Sequence, residues 1–206
     1  MFLIELFFNK YSLKIIINQK KDNLFMPTSS KPLFRADHVG SLLRPKSITD
    51  AFKKFSKNEI SDKAFTEIQD TAIKDVIDLQ ESLGLQSITD GEFRRASYWS
   101  TFVERVQGLE VAESRFSFHD DHGHEQQFTA PIVTEKLSRP QSVAGDEFNF
   151  VKENTSQTPK TTIVSPPTMH MWRLDKTIVD NCYDSREKYF SELAKIFREE
   201  IQSLFE

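Results

Sequence analysis

Two long stretches of the chain repeat apolar residues at three- and four-residue steps, the spacing of one helical face. The first runs from Ser61 to Leu83 and puts Phe65, Ile68, Ala72, Val76, Leu79 and Leu83 on a single stripe. Ser61 is a good N-cap, and Gly84 stands where a C′ glycine belongs. The second runs over 184–206, with Phe190, Leu193, Phe197, Ile201 and Leu204 as its stripe and Asp184 with Glu187 as a capping box. Shorter amphipathic runs predict helices at 48–55 ("ITDAFKKF") and 145–154 ("GDEFNFVKEN").

Between these helices lie short apolar runs that read as buried strands: 33–39, 85–89 and 161–165. The stretch 109–136 differs. "VAESRFSF" and "QFTAPIVTEKL" alternate as strands do and are joined by the polar "HDDHGHEQ", so a β-hairpin-like excursion from the main fold is expected. Strand, helix, strand, excursion, strand, helix is an α/β order, with polar groups just after three of the strands. That suits part of a (β/α)8 barrel, whose chemistry gathers at the carboxyl ends of its strands. A full barrel takes about 250 residues, and about four strands are in view here, so the first half is expected. The final helix would then present Phe197, Ile201 and Leu204 with no following strand to cover them.

The first 25 residues stand apart. They are apolar, but Glu5, Asn9, Lys10 and Lys14 interrupt them, and no run reaches the roughly 20 residues of a spanning helix. Basic residues before the apolar stretch and small residues at a cleavage site are both missing. Met26 opens a polar, proline-bearing segment that reads as a natural start, so residues 1–25 are expected to be a non-native or disordered extension of a domain at 26–206. The formal net charge of −4 argues against a general nucleic-acid binder. A single cysteine, Cys182, permits no internal disulfide, fits a cytoplasmic setting, and cannot furnish a multi-cysteine zinc site. Eighteen phenylalanines point to a core dominated by large apolar contacts.

Candidate chemistry concentrates at 87–99, "SITDGEFRRASYW". A surface turn explains Asp90-Gly91 alone; it does not explain Tyr98 and Trp99. A cleft at a strand's carboxyl end, lined by charge and roofed by rings, explains both. Read without context, Glu92 and Asp90 are more simply a solvated turn paired with Arg94 or Arg95. The run His119, Asp120, Asp121, His122, His124, Glu125 carries ligand types that suit a metal, but a polar hairpin tip is its ordinary explanation. His170 is read either as cleft lining or as core packing.

Three segments in order, "FRADHVGSLLRP" at 34–45, "TDGEFRR" at 89–95 and "TIVSPPTMH" at 162–170, together with the final helix "YFSELAKIFREEIQSLF", resemble the cobalamin-independent methionine synthase family. The likeness is to its short members, which match the catalytic C-terminal domain, and it runs from about Pro32 to Glu206. It implies a cytoplasmic (β/α)8 enzyme that transfers a methyl group from 5-methyltetrahydrofolate, as the polyglutamate, to homocysteine to make methionine. Zinc would hold the thiol as a reactive thiolate. By this resemblance His38, Val39, Gly40 and Ser41 hold the amino acid's carboxylate and amine, and Glu92 meets its ammonium group. Asp90, Arg94, Arg95 and Ser165 would support them.

The resemblance also marks departures. The family's metal ligands, a His, a Glu and two Cys, belong to the later half of the barrel, so no metal ligand is assigned here, Cys182 included. A proline stands in "TIVSPP" where longer members carry a folate-stacking Trp. The expectation is the N-terminal half of a methyltransferase, inactive alone and partnered by a missing C-terminal half. Two alternatives remain: a related zinc-dependent thiol alkyltransferase of the coenzyme M type, and a non-catalytic remnant that binds an amino acid or a partner chain.

Overall fold

A computed structural model describes residues 38–171 and 181–206, together with the backbone of two strands at 2–8 and 11–17. The chain divides into two compact units, Met1–Ala36 and Asp37–Glu206. In the first, β1 (Phe2–Phe8) and β2 (Tyr11–Ile17) pair antiparallel, from Phe2 opposite Ile17 to Phe8 opposite Tyr11. The rest of the expected extension, and most of the strand expected at 33–39, lie outside the described residues.

The second unit opens with α1 (Lys46–Ser56) and α2 (Asp62–Ser82). Ser61 caps α2 by accepting a hydrogen bond from the Ala64 N–H at 3.3 Å, and Gly84 follows its end with φ +76°. The buried face is not quite the expected stripe. Phe65 and Ala72 are buried, but Leu79 and Leu83 are exposed, and Gln69, Ile73, Ile77 and Gln80 turn inward instead. Gln80 does so because the sheet end offers it peptide groups. Its Nε2 donates to the Thr89 carbonyl at 2.8 Å, and its Oε1 accepts from the Thr89 N–H at 3.1 Å. A glutamine paired at both ends is at no disadvantage in a core.

β3 (Ser87–Ile88) pairs parallel with β6 (Thr158–Pro159), and the Lys160 N–H still reaches the Ile88 carbonyl at 2.7 Å. The next residue that would face β6, Asp90, already belongs to the turn, where its carbonyl accepts from the Phe93 N–H at 3.4 Å, and the ladder stops there. The strand expected at 161–165 is therefore not formed as one; its residues follow β6 without a ladder of their own. α3 (Ser100–Arg105) leads into the expected hairpin, β4 (Gln107–His119) antiparallel to β5 (Glu125–Ser138), longer at both ends than 109–136. Then come α4 (Gly145–Asn154), which matches its expected bounds, the short α5 (Thr168–Met171) and α6 (Arg186–Phe205).

α6 begins one residue later than its expected capping box. Ser185, not Asp184, is the N-cap and accepts from the Lys188 N–H at 3.2 Å, while Asp184 pairs with the Lys188 ammonium group. Its buried residues are Tyr189, Leu193, Ile196, Phe197 and Glu200. Phe197, expected to lie bare, is stacked on Phe102 at 4.7 Å between ring centroids. Two apolar clusters result. One joins α3, the hairpin base and α6 through Trp99, Phe102, Leu109, Val133, Leu193 and Phe197; the other joins α1, α2, β3 and α4 through Ile48, Ile73, Ile77, Ile88, Phe93 and Val151. The architecture among the described residues of the second unit is α/β, with helices packed on two two-stranded sheets, β3 with β6 and β4 with β5. No helix there is long and apolar enough to cross a membrane.

Candidate functional site

The site grows from the turn that ends β3. Gly91 has φ +67° and Glu92 φ +59°, two successive left-handed residues. Glycine adopts this conformation freely; a β-carbon at 91 would also stand 2.9 Å from the Phe93 ring and 3.1 Å from Leu42. For Glu92 the same conformation costs about 1–2 kcal/mol, and local bonds hold it there. Asp90 Oδ1 accepts from the Glu92 N–H at 2.9 Å, and the Glu92 carbonyl accepts from the Arg95 N–H at 3.1 Å. Backbone strain of this kind collects at functional sites.

The loop before α1 closes on this turn. The Leu42 N–H donates to the Gly91 carbonyl at 3.1 Å. Arg44 Nη2 donates to the Arg95 carbonyl at 2.6 Å and lies 3.4 Å from that of Glu92. Gly40 thereby comes so near that a β-carbon on it would stand 3.3 Å from Glu92 Oε1. The His38 carbonyl accepts from the Lys160 ammonium group, which ties the loop to the residue after β6. Val39 and Ser41 are exposed on either side of Gly40.

Beneath Glu92 lies a buried charge network. Arg95 donates from Nε (2.9 Å) and Nη2 (2.5 Å) to Glu147 Oε2, from Nη2 to the Thr162 carbonyl at 2.9 Å, and from Nη1 to Thr162 Oγ1 at 3.0 Å. The Thr162 hydroxyl donates to Glu92 Oε1 at 2.7 Å, and Arg95 Nη1 stands 3.6 Å from that same oxygen. Asp90, Glu92, Arg95 and Glu147 are each about 4% exposed. Burial alone would lower the Arg95 pKa, but the bonds and charge of Glu147, with Asp90 and Glu92 adding, hold it above its ordinary value. Burial pushes the Glu147 carboxyl up and Arg95 pulls it back. We take Glu147 as ionised, because two nitrogens of a permanently charged guanidinium donate to one of its oxygens. Asp90 Oδ2 is buried without a hydrogen-bond partner among the described residues.

The structure thus gathers Gly40, Asp90, Glu92 and Arg95 of the expected site, and adds Arg44, Glu147 and Thr162. Arg94 is drawn elsewhere: it pairs with Asp70 on α2 at 2.5 Å and lies over the Phe150 ring at 4.7 Å. Ser165 is exposed, and its carbonyl accepts from the Thr168 N–H to open the turn into α5. The expected aromatic roof is not built as foreseen, since Trp99 is buried in the α6-side core and Tyr98 is half exposed. His170 packs against the rings of Tyr189 and Phe190. Thr162 lay inside a quoted motif but on an expected strand, and Glu147 inside an ordinary helix start. Neither offers a signal of its own; only the folded contacts single them out.

Among the described residues the donor set does not fit zinc. No three of their His, Cys, Asp or Glu side chains are gathered so as to hold a metal ion. Cys182 packs against the larger apolar cluster. At the hairpin tip, Asp120 Oδ1 accepts from the N–H groups of His122 and His124, and Oδ2 lies 3.1 Å from His124 Nδ1; the acid closes the turn.

The profile of the family described as "Cobalamin-independent synthase, Catalytic domain" matches residues 34–206. An uncharacterized Bacillus subtilis protein, YxjH, is 32% identical over 180 residues, covering 85% of this chain and 46% of that protein. The methionine synthase of Sulfurisphaera tokodaii is 27% identical over 176 residues, covering 85% of this chain and 49% of its own length. Among solved structures, a vitamin-B12-independent methionine synthase homologue from Listeria monocytogenes superposes with a TM-score of 0.65 at 32% identity, over 84% of this chain and 48% of that one. A B12-independent methionine synthase from Shewanella, solved with selenomethionine, gives 0.55 at 25% identity, over 70% of this chain and 40% of that one. The chain spans about half the length of these short relatives. It belongs to the cobalamin-independent synthase catalytic-domain family.

Proposed function

We propose that the chain is the N-terminal half of a (β/α)8 catalytic domain, and that it supplies the amino-acid end of a site for methyl transfer from 5-methyltetrahydrofolate to homocysteine. The observation that carries this is the approach of Gly40 to Glu92, which puts bare loop backbone beside a buried carboxylate. In this reading Glu92 takes the substrate's ammonium group through a charge-assisted hydrogen bond, and the backbone of residues 38–41 takes its carboxylate. The parallel pairing of β3 with β6 is what neighbouring barrel strands do.

Methyl transfer also needs a thiolate, and in the complete enzyme zinc would supply it. Among the described residues no group fits that metal, and in this reading the thiol end of the reaction belongs to a C-terminal half. Isothermal titration of the chain with L-homocysteine and with 4-sulfanylbutanoate, which lacks the amine, tests the binding role. Preference for the amine is expected, and equal affinity would remove Glu92 from it. Zinc analysis and a methylation assay test the rest: stoichiometric tight zinc together with turnover would refute the half-enzyme reading.

A further inference from the structure

We infer that Thr162, oriented by Arg95 and Glu147, is a positioning residue that fixes Glu92 to receive the ligand's ammonium group. The inference rests on the proposed role of Glu92, and it begins from proton counting. A guanidinium can only donate, so Arg95 Nη1 makes the Thr162 oxygen an acceptor. The hydroxyl then has one proton left, and Glu92 Oε1 lies 2.7 Å away to accept it. The chain Glu147–Arg95–Thr162–Glu92 therefore has a defined direction, ending on a carboxylate held as an acceptor. Arg95 is itself pinned, because Glu147 receives two of its nitrogens and the Thr162 carbonyl a further N–H.

This arrangement loads one oxygen of Glu92 and not the other. Oε1 has the Thr162 hydroxyl, the Arg95 guanidinium at 3.6 Å and the close approach of Gly40. Oε2 is left for the ligand. A short, β-branched hydroxyl suits the task, because its χ1 is stiff and its carbonyl is tied to the same guanidinium. A serine in its place would keep the proton but not the stiffness. A valine would keep the shape and lose the proton.

The test compares the wild-type chain with T162V and T162S, titrated calorimetrically with L-methionine and with 4-(methylsulfanyl)butanoate, its counterpart without the amine. T162V is expected to lose about ten- to a hundredfold in affinity for L-methionine, the range of one charge-assisted hydrogen bond, with affinity for the des-amino acid unchanged. T162S should recover most of the loss. Unchanged amine preference in T162V would overturn the inference. So would equal loss of both ligands in T162V and T162S, the mark of a merely structural residue. A wild-type chain with no preference for the amine would instead sink the reading of Glu92, and the inference with it. Should near-UV circular dichroism show T162V to be unfolded, Glu147→Gln takes its place. It loosens Arg95 without touching Thr162, and a several-fold fall in amine preference supports the inference, while an unchanged preference overturns it.

Discussion

Two carboxylates in this protein are both hidden from solvent and are held in opposite ways. Glu200 on α6 is 0% exposed, and both of its oxygens are filled by fixed donors. Oε1 accepts from the Ala144 N–H at 2.7 Å and Ser142 Oγ at 3.0 Å; Oε2 accepts from the Val143 N–H at 2.8 Å and Arg139 Nε at 2.7 Å. It fastens α6 to the loop that leaves the hairpin and enters α4. Glu92 is 4% exposed, but its own donors crowd onto one oxygen, and its backbone is held in a strained conformation by Asp90. Burial of an acid does not mark a site. What separates these two is the share of their oxygens already taken: Glu200 has donors on both, and in the proposed reading Glu92 keeps one for what arrives.

The largest effect that separates the two should come from Glu200→Ala. It strands an arginine, a hydroxyl and two backbone N–H groups, and breaking a buried pair of this kind costs about 3–5 kcal/mol. Urea or thermal unfolding should show most of the stability gone. Loss of less than about 1 kcal/mol, the level of an exposed pair, would show that Glu200 is not the fastening it looks like.

Acid should reproduce part of that loss in the unmutated protein. Burial raises the pKa of Glu200, but the N–H groups of Val143 and Ala144, with Arg139 and Ser142, outweigh it and hold the carboxyl below its ordinary value of about 4.5. Its folded pKa is the lower one, so the unfolded chain binds the proton first. The stability it contributes is complete above pH 4.5 and falls away as the pH drops through the folded value. Melting temperatures across pH 3–7 should decline on the acid side, and Glu200→Gln should flatten part of that decline. An identical acid limb in both proteins would assign it to other carboxylates.

How far the sequence reaches follows the same division. Helices came through where capping and period agree: Ser61 with Gly84 bounds α2, and the turn residues around 119–125 separate β4 from β5. The motif at 89–95 was legible because the backbone at Gly91 demands a glycine, and Gly40 because a side chain there would crowd Glu92. Gln80 and Glu200 were not legible, since each is a polar residue at a helical core position whose partner is distant in the chain. Thr162 was hidden for the opposite reason. It sits in an apolar run that reads as strand, and the β3–β6 ladder ends before that run begins. Arg94 and Arg95 are indistinguishable as neighbours in sequence; only the fold sends one to Asp70 and the other to Glu147.

Glu92→Gln sharpens the contrast from the other side. It removes the charge that meets an ammonium group, and about 1.5–3 kcal/mol of binding should go with it. Stability should move far less than with Glu200→Ala, because Gln keeps an acceptor for the Thr162 hydroxyl and the backbone bonds of the turn remain. Calorimetry with L-homocysteine and a parallel thermal melt would read both quantities. If the melt fell as far as that of Glu200→Ala while binding held, the two acids would have to exchange roles.

The smallest change, Gly40→Ala, isolates geometry from charge. Gly40 lies outside the left-handed region, so alanine can adopt its backbone. The added β-carbon would meet Glu92 Oε1 at 3.3 Å and Cδ at 3.9 Å, which displaces the carboxylate by a few tenths of an ångström without forcing the fold apart. Stability should hold or rise slightly, since replacing glycine at a compatible position typically gains about 0.4–1 kcal/mol by restricting the unfolded chain. Affinity for the amine-bearing ligand should nonetheless fall a few-fold, because Glu92 is pushed off the position that Thr162 defines. A stabilised protein with weakened binding is a pattern that no disturbance of the core produces. Unchanged affinity would mean that Glu92 tolerates displacement and that its fixed position is not what the ligand reads.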